Sequence, residues 1–151
     1  MNILIVGHAR HGKDQFAEYL GVSFQSSSEA ALDCFLFDVL NKNRERKGLA
    51  KYQTRVEAFK DRANHRAEWH DEIKWFNSPD KSRLATLIMA KNSCYVGMRC
   101  NLEYKACMAK GLFDRVYWVD ASDRKPLEPR DSFSIDFDDK TMICVDNNGS
   151  L

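Results

Sequence analysis

The chain is 151 residues long, 44% hydrophobic and 30% charged, with a formal net charge of +1. That length suits one domain with a real core, and so even a charge balance carries no field that would draw in nucleic acid or a membrane surface. No apolar run approaches the ~18 residues of a membrane span, and the opening run is too short for a signal peptide, so a cytoplasmic protein is expected.

Ile3 to Val6 read as a short buried strand. It runs into Gly7-x-x-x-x-Gly12-Lys13, the spacing of a phosphate-binding P-loop. Glycines let such a backbone wrap so that several N–H groups point at phosphate oxygens. The following helix N-terminus adds its dipole, and Lys13 adds a point charge. Asp14 stands where a Ser or Thr usually ligates Mg²⁺. Phe16, Ala17, Tyr19 and Leu20 give a short helix its apolar positions, and Gly21 stops it. A strand candidate over 22–28 follows, and Ser28 is expected to cap a helix from Glu29 to Leu40. Its apolar face is Leu32, Phe35, Leu36, Val39 and Leu40, and the charged stretch from Asn41 to Ala50 reads as an exposed connection.

Thr54-x-x-Glu57 is a capping box that predicts one long helix from Arg55 to Phe76, with Val56, Phe59, Ala63 and Ala67 inward. Ser78-Pro79 opens another helix to about Lys91, with Leu84, Leu87 and Ile88 inward. Cys94 to Gly97 is a second buried strand, Asn101 to Lys110 a helix stopped by Gly111, and Val116 to Val119 a third strand. Asp120 to Asp139 form a long polar loop or small lid; Met142 to Val145 are the last strand, and Asp146 to Gly149 a turn. The alternation predicts a single α/β domain: a parallel sheet, helices on both faces, a helical region over about 29–92 and a lid-like loop over about 120–140. Ligands of such sheets bind at strand carboxyl ends, where the P-loop, Arg99, Asp120 and Asn147 should converge.

The cysteines are odd in number and form no C-x-x-C pair. Cys34, Cys94 and Cys144 lie in apolar runs and read as small core residues in a reducing, intracellular setting. No His residue pairs with them at zinc-ligand spacing.

Arg62, Arg66 and Trp69 fall at i, i+4 and i+7 of the expected long helix. Two guanidinium forks on one face suit an acceptor phosphate, and Trp69 could stack on a base; equally, Asp61 and Glu68 could pair with a solvated face. Arg99 follows a buried strand, at the ligand end of the sheet. Arg124, Lys125 and Arg130 lie in the long loop, which could close over phosphates or simply be solvated.

Four stretches carry a family resemblance: Gly7-His-Ala-Arg-His-Gly-Lys-Asp14, Phe59-Lys-Asp-Arg-Ala-Asn-His-Arg-Ala-Glu-Trp69, Tyr95-Val-Gly-Met-Arg-Cys-Asn-Leu-Glu103 and Asp146-Asn-Asn-Gly-Ser-Leu151. Together they resemble the P-loop nucleoside monophosphate kinases, and within them the deoxynucleoside monophosphate kinase-like proteins of bacteriophages. The resemblance implies a three-layer P-loop NTPase-type fold. It implies phosphoryl transfer from ATP, with Mg²⁺, to a (deoxy)nucleoside monophosphate, giving the diphosphate. Gly7, Arg10, His11, Gly12, Lys13, Asp14, Gln15 and Asn147 would bind ATP, with Asn147 near adenine and Asp14 toward the metal. Ser27, Arg62, Arg66, Trp69 and Arg99 would hold the acceptor. Lys13, Arg99 and a lid-borne Arg124 would be the catalytic cations. The implied partners are these two nucleotides, with no nucleic acid, no membrane and a homodimer left open; a phage-encoded protein would work in the host cytoplasm.

Two positions depart from the family pattern. Gln15 stands in place of Thr, and Gly97 in place of the Asp of an Asp-Val-Arg signature. Asp33, Asp38 or Asp120 could supply the missing carboxylate. The departures leave two other readings open: a nucleotide-binding module without catalysis, and a kinase of another small phosphorylated acceptor.

Overall fold

Five short strands pair side by side, all parallel, in the order β2-β3-β1-β4-β5. The computed structural model describes residues 1–149; Ser150 and Leu151, which end the fourth family-like stretch, lie outside the described residues. The strands are β1 (Ile3–Val6), β2 (Phe24–Ser26), β3 (Cys94–Val96), β4 (Arg115–Asp120) and β5 (Ile143–Asp146). β1 is central, with Ile3 in register with Cys94 on one side and Arg115 on the other. All four of its residues are buried, as the period-2 rule requires of a strand covered on both faces.

The two faces have separate cores. Ile3 and Ile5 join Cys94, Val96, Val119 and Ala17 of α1 (Lys13–Leu20). Leu4 and Val6 join the larger cluster, with Leu84 and Ile88 of α6 (Arg83–Met89) and Cys107 of α7 (Asn101–Ala109). Helices therefore cover both faces, as expected. Gly7, at φ 144°, leaves β1 so close to β4 that a Cβ there would meet the Val119 carbonyl oxygen at 2.5 Å, so only glycine fits.

The helical region between β2 and β3 differs from its sequence reading. Ser26, not Ser28, caps the first helix, its Oγ accepting the Glu29 N–H. The helix runs well past Leu40: α2 (Ser27–Ala31) passes through a π-helical stretch, Leu32–Leu36, into α3 (Phe37–Arg46). The expected long helix is broken into α4 (Arg55–Lys60), a 3-10 turn (Asp61–Asn64) and α5 (Arg66–Phe76). The cause is local. The Asp61 carboxylate accepts from Tyr52 Oη at 2.6 Å and Asn64 Nδ2 at 2.7 Å, and pairs with His65 Nε2 at 3.1 Å. Such side-chain bonds offer the chain an alternative to continuing the helix. With the phase lost, Val56, Ala63 and Ala67 are exposed, while Ala58 is buried. Thr54 still caps α4, accepting the Glu57 N–H.

The next helix starts at Arg83 rather than Pro79, because the Asp80 carboxylate takes both the N–H and the hydroxyl of Ser82. Leu87 is exposed, against expectation. Cys94 is buried, but Cys34 and Cys144 are exposed, and Cys107 is the second core cysteine.

Candidate functional site

The P-loop, Arg99, Asp120 and Asn147 follow or end four parallel strands and so share one edge of the sheet. Gly12, at φ 96°, precedes α1, and Arg10 also adopts positive φ (64°), giving the loop its tight wrap. The Lys13 ammonium donates to the His8 carbonyl at 2.8 Å. Burial, then the nearby Arg99 charge, pulls Lys13 down to about 8, with Glu128 and Asp14 opposing. An ammonium held this way gains from any anion that enters.

The chain from Ala121 to Met142 is not a free lid. Phe133 and Ile135 are buried in the main core, and the Ser134 N–H and Oγ bond the Arg99 carbonyl and the Asn101 N–H. The P-loop histidines fasten its other half. The Ala121 N–H donates to His11 Nδ1 at 2.9 Å, so the ring proton sits on Nε2, which lies 3.2 Å from the Pro126 carbonyl it donates to. His11 is fully buried, its ring nitrogens both taken up by these contacts. His8 Nδ1 likewise accepts the Glu128 N–H at 2.9 Å, and the His8 ring packs on Phe133 with centroids 4.5 Å apart. Burial, then His11, lowers the His8 pKa, which keeps Nδ1 free to accept. The segment is a strap across the P-loop. It is long and has no regular structure, a combination uncommon in a compact domain unless the loop has work to do.

The strap brings in a residue that the sequence reading missed. Glu128 Oε2 accepts the Ala9 main-chain N–H at 2.8 Å, while Oε1 pairs with the Arg99 guanidinium. One local signal existed: Glu128 sits in Pro126-Leu-Glu-Pro129, where the flanking prolines restrict the backbone around a single acid.

The other expected ATP contacts are distributed as follows. Arg10, Asp14 and Gln15 are exposed around the loop. Asn147 gives its side-chain amide to the His11 carbonyl at 2.9 Å, so that group braces the P-loop. Arg124 is exposed, with Nε donating to the Asn147 carbonyl at 2.7 Å. It is tied beside β5, not carried on a mobile lid.

On the acceptor flank, Arg62 lies in the 3-10 turn and Arg66 opens α5. Arg62 stacks on Phe59, 4.3 Å from the ring centroid. Burial, then the charges of Arg66 and Arg99, lower its pKa, opposed by Glu29 and Asp14. Arg62 therefore lies within the field of the other four groups, even though the helical spacing that suggested the grouping is absent. Trp69 does not join them. It is 3% exposed and meets Phe59 edge-on, so it belongs to the core and presents no stacking face. The break at His65 turned it inward. Ser27 starts α2 near the buried Tyr95, whose hydroxyl donates to buried Glu103 Oε1 at 2.9 Å. Burial raises Glu103 to about 7.

Position 97 is open in space but not in backbone. Gly97 has φ 89°, and a Cβ there would lie 4.0 Å from Lys13 Cε. Of the candidates for the missing carboxylate, Asp33 accepts from Gln25 Nε2, and Asp120 accepts from the Ser122 N–H and Asn148 Nδ2. Asp38 is exposed on α3. Among the described residues no group of three or more His, Cys, Asp or Glu is arranged to hold a metal, and no helix is long and apolar enough to cross a membrane.

A separate solvent-open depression of about 530 Å³ lies between α3 and α5, lined by Asn43, Arg46, Lys47, Glu68, Asp71 and Glu72. It shares no residue with the P-loop edge, and Asn43 already bonds Glu68 and Glu72 across it.

No protein-family model matches this chain, and no curated protein matches it either.

Proposed function

We propose that this protein is a P-loop kinase that transfers the γ-phosphoryl group of ATP to the phosphate of a (deoxy)nucleoside monophosphate. The observation that carries the reading is that Arg99 and Asp14 lie within the field of both Lys13, in the P-loop, and Arg62, which also feels Arg66. Phosphoryl transfer needs positioning and charge neutralisation more than covalent chemistry, and cations gathered around a phosphate-binding loop suit both. Lys13 and the P-loop N–H groups would hold the donor phosphates. Arg62 and Arg66 would hold the acceptor phosphate, and Arg99, between the flanks, would meet the transferred group. The acceptor phosphate is already a nucleophile, so no general base is required.

Mg²⁺ of this class is bound through one or two carboxylates plus the substrate phosphates rather than in an all-protein cage. Asp14, exposed in the first turn of α1 and within the field of Lys13 and Arg62, suits that partial role. When bound, the ion would neutralise charge on the phosphate oxygens.

A second reading, a nucleotide-binding module without transfer, is favoured by Gly97, which leaves Lys13 without a carboxylate from β3. A coupled assay with ATP, Mg²⁺ and each of the four deoxynucleoside monophosphates separates the two. ADP formation that depends on one acceptor supports the kinase. ATP binding with no ADP formed for any acceptor supports the module.

A further inference from the structure

A P-loop recognises phosphate by turning main-chain N–H groups inward beside a cation. In this chain one main-chain N–H of the loop, that of Ala9, is already taken by an acid oxygen, and the other oxygen of the same acid is on Arg99. We propose that the Glu128 carboxylate is an intramolecular occupant of the P-loop anion site, standing where a phosphate group would bind, and that a polyphosphate ligand must displace it.

Three observations carry this. The carboxylate uses both oxygens on the two donor types that a phosphate takes, one main-chain N–H of the loop and one guanidinium. Its approach is built: the Glu128 N–H is pinned on His8 Nδ1, and His11 Nε2 donates to the Pro126 carbonyl two residues earlier. Its charge also matters to the loop, because the Glu128 carboxylate favours the charged Lys13 ammonium against burial and the Arg99 charge. Since the backbone on either side is fixed, release needs only rotation of the Glu128 side chain, not opening of the strap.

The consequence is a uniform handicap. A ligand whose site is open only part of the time binds more weakly by that fraction, whatever the ligand. Anions that bring one charge gain least over the carboxylate they replace, and chains of phosphates gain most. Glu128 would thus set an affinity threshold: every anion is weakened by the same factor, so inorganic phosphate and other small anions, already weak, fall out of range while tighter polyphosphates still bind.

The inference rests on the P-loop being an anion site, which the kinase reading also needs. The probe is inorganic tripolyphosphate, which has no base or sugar, titrated calorimetrically into wild type and Glu128→Gln. The amide keeps the size and one acceptor oxygen, so it should leave the strap in place. The variant is expected to bind about tenfold more tightly, as removal of one charge-assisted contact from a competing group would allow. Equal or weaker binding overturns the proposal while leaving the anion site, and with it the kinase reading, intact. If neither protein binds, both fall together. Wild-type protein gives an independent check that does not depend on a folded variant. Carbodiimide-driven labelling of Glu128, read by mass spectrometry, should rise when tripolyphosphate saturates the site. Unchanged or reduced labelling overturns displacement.

Discussion

The proposed donor flank and the proposed acceptor flank are held by different physics. On the donor flank the main chain does the positioning. Gly7 and Gly12 adopt angles that side chains resist, and the loop is braced by bonds to His8, His11 and their carbonyls. On the acceptor flank side chains position side chains: Asp61 gathers Tyr52, Asn64 and His65, and Arg62 lies over Phe59. A backbone site is hard to retune by substitution but gives only one chemistry, the capture of phosphate. A side-chain site can be re-aimed one residue at a time, which is where a choice among acceptors can be made.

The sharpest break between the flanks should come from Lys13→Ala. If the donor flank works as proposed, transfer falls by ~10² or more, since a fixed cation at the developing charge is lost. Near-normal turnover in a steady-state assay would remove the P-loop from the chemistry.

Next in size is the acceptor flank. Arg62→Ala or Arg66→Ala should raise the acceptor KM or lower kcat by roughly tenfold, the scale of one lost charge-assisted contact. ATP affinity measured without acceptor should hardly move. A selective loss of ATP binding would reassign these arginines to the donor side and erase the comparison.

A smaller effect tests the donor flank through pH. Lys13 titrates near 8, well below its ordinary 10.5. ATP phosphates bind the charged ammonium and hold its proton, so affinity should drop severalfold as pH rises through about 8. Lys13→Arg should flatten that slope, because a guanidinium does not titrate there. An identical slope in both proteins would place the titrating group elsewhere.

The smallest effect concerns the support beneath the acceptor flank. Glu103 is raised from 4.5 to about 7 by burial. The folded protein therefore binds a proton that the unfolded chain has released between those values. Stability from this group falls as pH climbs from 4.5 toward 7 and then stays level. Glu103→Gln keeps an acceptor for the Tyr95 hydroxyl without the charge. It should be more stable than wild type at pH 8, on the order of 1 kcal/mol, and no more stable at pH 4.5. Thermal melts at the two pH values decide it; a variant weaker at both would mean that the ionised acid is an asset.

What could be read in the sequence tracks how local each cause is. Ile3–Val6, the P-loop spacing, Gly21 at φ 67° and Gly111 at φ 63° are set by neighbours within a few residues, and the structure places them where the sequence did. The break at His65 was hidden because Tyr52 helps to form it from outside the helix window. Trp69 carried a stacking role only while that helix was continuous. The strap was unreadable as such: His8 and His11 look like ordinary P-loop filler until Glu128 and Ala121 arrive to bond them. Arg99 is the opposite case, a residue whose position after a buried strand was enough to bring it to the site.

β1 is the first of the five strands to be made, yet it is housed late. Its two neighbours in the sheet begin at Cys94 and Arg115, so it has nothing to pair with until most of the chain exists. The loop that follows it waits longer still. Its braces come from Ala121, Glu128 and Asn147, at sequence separations of 110, 120 and 136 residues. Closing such long loops is entropically costly and slow, and it is rewarded only when the distant partner is present. During synthesis the loop should therefore stay unformed while the helical flank folds, and an anion should bind it only once the segment through Asn147 has been made.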